Sequence, residues 1–313
     1  MADVKKMATR DGYGKALVAL GAEHNDIVVL DADLAGSTKT GMFAKAYPDR
    51  HFNCGIAEGN MMSVAAGLAA SGLTPFASSF AMFASGRAFE QIRNSIGYPK
   101  LNVKIGASHG GMSVGEDGAS HQCCEDFALM RSIPGMVVIC PADGVEAEAA
   151  TKAAYAHQGP VYLRMGRLAV PLFHEEGFEF TIGKGEIMRD GADIAIIANG
   201  LMVYEAIKAG ETLAAEGINA MIINMSTVKP LDEELVLEAA KKCGKIITCE
   251  EHSVIGGLGE AVCSFLSETY PTPVRRIGVN DQFGQSGPAA QVLEYYGLCA
   301  DNIVKVTKEF LGK

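Results

Sequence analysis

The sequence predicts an α/β protein of two domains, a doubly wound, mostly parallel-sheet domain followed by a smaller α/β domain. Three observations carry this. Apolar runs of strand length alternate with segments of helical period from end to end. The 313 residues are many for a single hydrophobic core. A charged, glycine-rich stretch interrupts the alternation just past its midpoint. Alternation of this kind implies parallel strands, because each crossover helix must cover a sheet that is buried on both faces.

The first domain is read over residues 1–172. Its strands are the runs Ile27-Val-Val-Leu-Asp-Ala, Pro75-Phe-Ala-Ser-Ser-Phe, Val103-Lys-Ile-Gly-Ala, Met136-Val-Val-Ile-Cys and Val161-Tyr-Leu-Arg. Between them, apolar residues recur at helical spacing over 11–20, 58–70, 84–96, 121–131 and 145–156. Residues 173–191, with His174-Glu-Glu-Gly and Arg189-Asp-Gly, read as a linker. The second domain, 192–313, repeats the alternation with strands at 194–198, 220–224, 245–249 and 274–279. Its helices fall at 204–216, 232–242, 259–268, 289–296 and near 302–311.

Composition excludes several classes of function. With 37 acidic against 27 basic residues the net charge is -10, and no Lys/Arg run exceeds two residues, so nucleic acid is not an expected partner. No apolar stretch approaches the roughly 20 residues that span a bilayer, and the Met-Ala-Asp-Val-Lys-Lys start lacks the apolar region of a signal peptide. The expectation is a cytoplasmic protein without membrane contact. Eight cysteines form no Cys-x-x-Cys pair, and several sit inside apolar runs, which is reduced-compartment usage rather than a disulfide framework or zinc site. Adjacent Cys123 and Cys124 are poorly disposed for a disulfide.

In open parallel sheets ligands bind beyond the carboxyl ends of the strands, so the polar residues there are the ones to inspect. Glu58 lies among small and apolar residues at an expected helix start. It is either a first-turn carboxylate complementing the helix dipole or a buried acid that shares a proton with a ligand nitrogen. Phe80 and Phe83, three apart, are either core residues or a face for a flat heterocycle. His109, Asp117 and His121 place two imidazoles and a carboxylate in one glycine-rich segment. That set suits hydrogen bonding to a polyol. A metal site competes, but no third nearby histidine or cysteine completes it. Arg10, Arg164 and Arg167 are candidate anion clamps in an otherwise acidic chain, or plain surface charges.

Four strings together resemble the C-terminal half of the thiamine-diphosphate-dependent transketolases. They are Asp31-Ala-Asp33-Leu-Ala-Gly-Ser37, Gly55-Ile56-Ala-Glu58-Gly-Asn-Met, Ser79-Phe80-Ala-Met-Phe83 and Gly115-Glu-Asp117-Gly-Ala-Ser-His121-Gln122, the last being the most specific. The resemblance covers essentially the whole chain, as a pyrimidine-binding domain followed by the transketolase C-terminal domain. It implies that Glu58 hydrogen-bonds the pyrimidine of the cofactor, that Phe83 and Phe80 stack on it, and that Ile56 and Asp33 lie at the same ligand. It further implies that His109, His121 and Asp117 contact the sugar, and that Arg10, Ser37, Arg167 and Arg164 hold its distal phosphate. The implied reaction transfers a two-carbon ketol unit from a ketose to an aldose, with the cofactor as electron sink.

One departure shapes the expectation further. Complete transketolases carry a Gly-Asp-Gly motif, followed downstream by Asn, that holds the metal on the diphosphate, and the present sequence contains none. The resemblance therefore implies the C-terminal subunit of a split transketolase, with no metal ligand of its own. It shares thiamine diphosphate with an N-terminal subunit that holds Mg²⁺ or Ca²⁺, in an α2β2 assembly acting on sugar phosphates. Gly86 stands where many transketolases have a third aromatic, which suggests a looser pyrimidine pocket. The rival readings are the β subunit of a 2-oxoacid dehydrogenase, which Glu250-Glu251-His252 and Gly256-Gly257-Leu-Gly259 resemble, and deoxyxylulose-phosphate synthase, which Arg164-Met-Gly-Arg167 resembles. A non-catalytic scaffold is the reading from a different class.

Overall fold

The structure, a computed structural model, describes residues 5–313. It is an α/β protein that divides into two compact units. The first runs through Gly110 and resumes over Leu129–Ile182; the second combines Gly111–Ala128 with Gly183–Lys313. By their contacts residues 111–128 group with the C-terminal part, through side chains of the second unit described below.

The first unit contains, in chain order, β1 (Lys6–Ala8), α1 (Thr9–Glu23), β2 (Ile27–Asp31), α2 (Ala35–Thr38), α3 (Thr40–Ala46), β3 (His51–Asn53) and α4 (Glu58–Ala70). There follow β4 (Thr74–Phe80), α5 (Phe89–Gln91) and β5 (Lys104–Ser108). The division between units falls within α6 (Asp126–Arg131), after which come β6 (Val137–Ile139), α7 (Gly144–Ala156), β7 (Val161–Arg164) and β8 (Ala169–Pro171). Strands β6-β7-β5-β4-β2-β3 lie side by side and all parallel, and β1 and β8 form a separate antiparallel pair. Strands β2, β4 and β5 are buried along their whole length, as a parallel sheet covered on both faces requires. Beneath them Tyr13, Leu17, Phe43, Phe76, Val137 and Leu163 share one apolar cluster.

Register decides where chemistry can gather. Asp31 pairs with Asn53 and with Ser78, Phe80 pairs with Ser108, and Ala107 with Arg164, so the carboxyl ends of five strands form one edge. From β2 the chain leads to β3 on one side, and from β4 to β5 on the other. The neighbouring strands β2 and β4 thus mark the switch point, where loops diverge and open a crevice. Helix α1 packs against α7 closely enough that a Cβ at Gly12 would overlap the Gly144 carbonyl. Glycine is the residue that permits this approach.

The helix expected over 84–96 is not continuous. Two π-helical turns, Met82–Arg87 and Ile92–Gly97, flank the short α5, because a widened turn absorbs one residue more than an α-helix holds. Likewise only Asp126–Arg131 of the stretch 121–131 is helical, the residues before it forming turns.

The second unit holds β9 (Glu186–Arg189), β10 (Ile194–Ala198), α8 (Met202–Ala215), β11 (Ala220–Asn224), β12 (Thr227–Lys229), α9 (Glu233–Cys243) and β13 (Ile246–Ser253). It ends with α10 (Leu258–Thr269), β14 (Val274–Val279), α11 (Ala289–Tyr295) and α12 (Ala300–Leu311). Its sheet order is β14-β13-β10-β11-β9, parallel except for β9, which lies within the stretch read as linker and pairs antiparallel with β11. All eight cysteines are free thiols. Among the described residues no helix is long and apolar enough to cross a membrane.

Candidate active site

The switch-point edge of the first unit gathers Glu58, Phe80, Phe83 and His109. Glu58 opens α4 and is 1% exposed. Its Oε2 accepts a hydrogen bond from Arg87 Nη1 at 3.0 Å. The Arg87 guanidinium in turn lies over the Phe83 ring, 4.6 Å from its centroid. Phe80, at the end of β4, stacks on Phe83 at 6.0 Å and 23° and on His109 at 3.9 Å and 25°. His109 follows β5 in a left-handed conformation (φ 59°), buried, with Nδ1 bonded to Ser108 Oγ at 2.8 Å. A buried carboxylate, a row of three flat rings and a planar cation thus lie together. Ser79 Oγ, buried one residue before Phe80, makes no hydrogen bond.

The turn that delivers Glu58 is tied to the loop after β2. Asn53 Nδ2 donates to Asp33 Oδ1 at 3.0 Å, and Asn53 Oδ1 accepts from Gly55 N at 2.8 Å. Asp33 is exposed with φ 62°, and Ile56 is 76% exposed. A buried pair missed in the sequence, Asp31 Oδ2 to His51 Nε2 at 2.6 Å, joins β2 to β3 beneath this turn, with Asp31 Oδ1 accepting from Leu34 N at 3.1 Å. Burial and the Asp31 carboxylate push the Cys54 thiol up, away from thiolate character. At Gly86 the Met82 methyl occupies the space a Cβ would take.

Three of the four anion-clamp candidates come together. Arg10 Nη1 donates to Ser37 O at 2.9 Å, and Arg10 Nε is buried without a hydrogen bond. Burial holds the Arg10 guanidinium below its usual value, against the pull of Asp11 and assisted by the nearby charge of Arg167. Two guanidiniums within electrostatic reach of each other in an acidic protein suit an anion. Arg164 is 2% exposed, and its guanidinium packs beneath Gly110, next to His109, so it is a buried cation rather than a surface one.

Asp117 and His121 lie in the second unit, in the segment 111–128. Asp117 is exposed and His121 half-buried, with Nδ1 bonded to Ser120 Oγ at 2.9 Å. Among the described residues no group of three or more His, Cys, Asp and Glu is arranged to hold a metal ion. Sequence reasoning missed Arg87, whose signal was available: it is the one charge between Ser78 and Glu90.

Comparison with known proteins now decides the family. The model of the transketolase pyrimidine-binding domain matches residues 5–171, and that of the transketolase C-terminal domain matches 183–303. The chain belongs to the transketolase family. A chain of Methanocaldococcus jannaschii, provisionally named a transketolase C-terminal section, is 52% identical over 97% of this chain and 96% of its own length. A 6-deoxy-6-sulfo-D-fructose transketolase subunit of Clostridium sp. (strain MSTE9) is 44% identical over 96% of this chain and 93% of its own. A solved structure described as a split gene transketolase, inactive beta4 tetramer, superposes with a TM-score of 0.90 at 52% identity, covering 98% of this chain and 99% of that one. The fold and the two-domain plan are therefore those of transketolases, and a pyrimidine-binding domain of this family implies thiamine diphosphate as cofactor.

Proposed function

We propose that this chain is the C-terminal subunit of a split transketolase. In this reading it transfers a two-carbon ketol unit from a ketose to an aldose and requires an N-terminal subunit for activity. The observation that carries it is the triple contact of Glu58, Arg87 and Phe83. Arg87 presents a flat, nitrogen-bearing cation that stacks on Phe83 while donating to the buried Glu58 carboxylate. An aminopyrimidine ring that carries a proton asks for the same two contacts, so the residues present fit the cofactor.

Thiamine diphosphate, when bound, supplies the electron sink for the two-carbon unit. Glu58 Oε2 would hold a proton against a pyrimidine nitrogen, and α4 fixes that oxygen because the carboxyl sits in its first turn. Phe83 would stack on the ring, with Phe80 behind it in the row that ends at His109, and Ile56 and Asp33 at the rim. His109 would meet the sugar with its ring fixed by Ser108 and Phe80, and Arg164 would support that turn from below. Asp117 and His121 would bind hydroxyls of the substrate, and Arg10, Ser37 and Arg167 its terminal anion. A sulfonate has the same oxygen geometry as a phosphate, so both belong in a substrate screen.

The partner would hold the diphosphate and the divalent ion, Mg²⁺ or Ca²⁺, for which this sequence has no Gly-Asp-Gly motif. Support for that dependence comes from similarity over nearly full length to chains named as transketolase sections and subunits. The test is coexpression with a chain that carries Gly-Asp-Gly and a downstream Asn, then a screen of ketose donors and aldose acceptors. The lone chain is expected to turn over negligibly with thiamine diphosphate and Mg²⁺, and the pair robustly, as an α2β2 assembly. Robust turnover by the lone chain would refute partner dependence, and an inactive pair would refute the transketolase reading.

A further inference from the structure

The second unit contains a buried acid that the reading above does not use. Glu251, on β13, is 4% exposed. Its two oxygens are both taken by one residue of the 111–128 segment: Oε2 accepts from Ser113 N at 2.9 Å, and Oε1 from Ser113 Oγ at 3.0 Å. The backbone beside it is pressed against the same carboxylate, since a Cβ at Gly111 (φ 85°) would overlap it. At the other end of the segment Phe127 N donates to His252 Nε2 at 3.1 Å and the two rings stack at 4.8 Å and 19°. The His252 Nδ1–H is spent on Ser253 O at 2.7 Å, which leaves Nε2 as the acceptor. Adjacent residues of one strand thus grip both ends of the segment. The base of the segment is buried, while Asp117 and the neighbouring Glu116 are exposed at its tip.

We propose that Glu251 is a positioning residue for substrate binding, holding the segment so that Asp117 and His121 present their polar atoms in one fixed arrangement. The C-terminal domain then contributes to donor recognition through a strand that itself touches no substrate. This rests on the transketolase reading for the roles of Asp117 and His121, whereas the grip itself is read from the hydrogen bonds. The segment carries the two residues assigned to the sugar and none assigned to the cofactor, so loosening it is a matter of affinity for the sugar and not of cofactor capture.

The test uses the reconstituted pair and three variants, Glu251→Gln, Glu251→Ala and Ser113→Ala. Glu251→Gln keeps the bulk but turns one acceptor into a donor facing Ser113. It is expected to raise the KM for the ketose donor by about tenfold or more with kcat changed by less than about threefold. Thiamine diphosphate affinity, read from the thermal shift it produces, is expected to stay within about twofold, because the cofactor residues lie in the first unit. Hydrogen exchange on the full-length chain is expected to show amides of 111–128 losing protection in Glu251→Ala while the rest of the second unit keeps it. Should Glu251→Ala fail to fold, Ser113→Ala removes a single hydrogen bond and is expected to show the same pattern more weakly. Lost protection with an unchanged KM would overturn the proposal, as would unchanged protection, or a KM and cofactor affinity that worsen together. An inactive wild-type pair would instead sink the transketolase reading, and the exchange difference would still decide whether Glu251 grips the segment.

Discussion

Glu58 is nearly sealed from solvent in a helix that carries no other charge, and the charge facing it, Arg87, reaches it from 29 positions along the chain. That separation explains why the sequence displayed the acid but not its counter-ion. Arg87 is exposed, so the pair adds little to stability: replacing Glu58 by Gln retains an acceptor for the guanidinium and should change the unfolding free energy by less than about 1 kcal/mol. Turnover of the assembled enzyme, in contrast, should fall by at least about 100-fold, since an amide cannot exchange the proton. Steady-state rates and a thermal melt on the same preparation check both halves. A stable Glu58→Gln variant with full turnover would remove Glu58 from the chemistry. Phe80 and His109 were visible for a simpler reason, since each stands at or just after the end of a buried strand, where ligands gather.

Helix α7 depends on a single residue before it. Asp143 Oδ1 accepts from Val145 N at 3.0 Å and Glu146 N at 2.9 Å, while Oδ2 accepts from Phe173 N and His174 N, both at 2.9 Å. One carboxylate thus caps the helix and pins the chain beyond β8 to its start. Replacing Asp143 by Ala loses the cap and strands buried N–H groups, at a cost of about 3 kcal/mol. Burial pushes the Asp143 carboxyl up, but hydrogen bonds from the His174 side chain and three backbone amides outweigh it and hold the group below the ordinary carboxylate range. The unfolded chain therefore takes the proton first. The stabilisation is complete above about pH 4 and drains away as the pH falls through the lower folded value. Melting curves of wild type and Asp143→Ala should converge toward acid; a constant gap from pH 7 to pH 3 would contradict this.

Elements of this size differed in how well the sequence displayed them. Strands such as Ile194–Ala198 and Ala220–Asn224 were legible because burial on both faces leaves them uninterrupted by polar residues. The three-residue strands Lys6–Ala8, His51–Asn53 and Ala169–Pro171 were not, since two or three positions carry no periodicity. The π-helical turns share the apolar spacing of an ordinary helix and so were read as one.

Across the whole molecule, adjacency in sequence misled more than residue type. The string from Gly115 to Gln122 was recognised, but nothing in it says that Ser113 belongs with Glu251, 138 positions on. The pair Glu250-Glu251 was noticed only as a resemblance, because a satisfied buried carboxylate and a solvated one look alike in one dimension. Glu251→Ala in the full-length chain removes the acceptor of both Ser113 hydrogen bonds. A protease specific for glutamate should cut this variant at Glu116 and Glu125 several times faster than it cuts the wild-type chain. Equal cleavage rates at these two sites, read by mass spectrometry of the fragments, would show that Glu251 does not hold the segment.

The interleaving also has a temporal side. Synthesis at about 5–20 residues per second separates the emergence of Ser113 from that of Glu251 by roughly 7–28 s. During that interval the nascent polypeptide holds a glycine-rich arm whose anchor has not yet been translated. Ribosome pausing between the two codons would lengthen its vulnerability to chaperones and proteases, so codon usage over that stretch bears on yield.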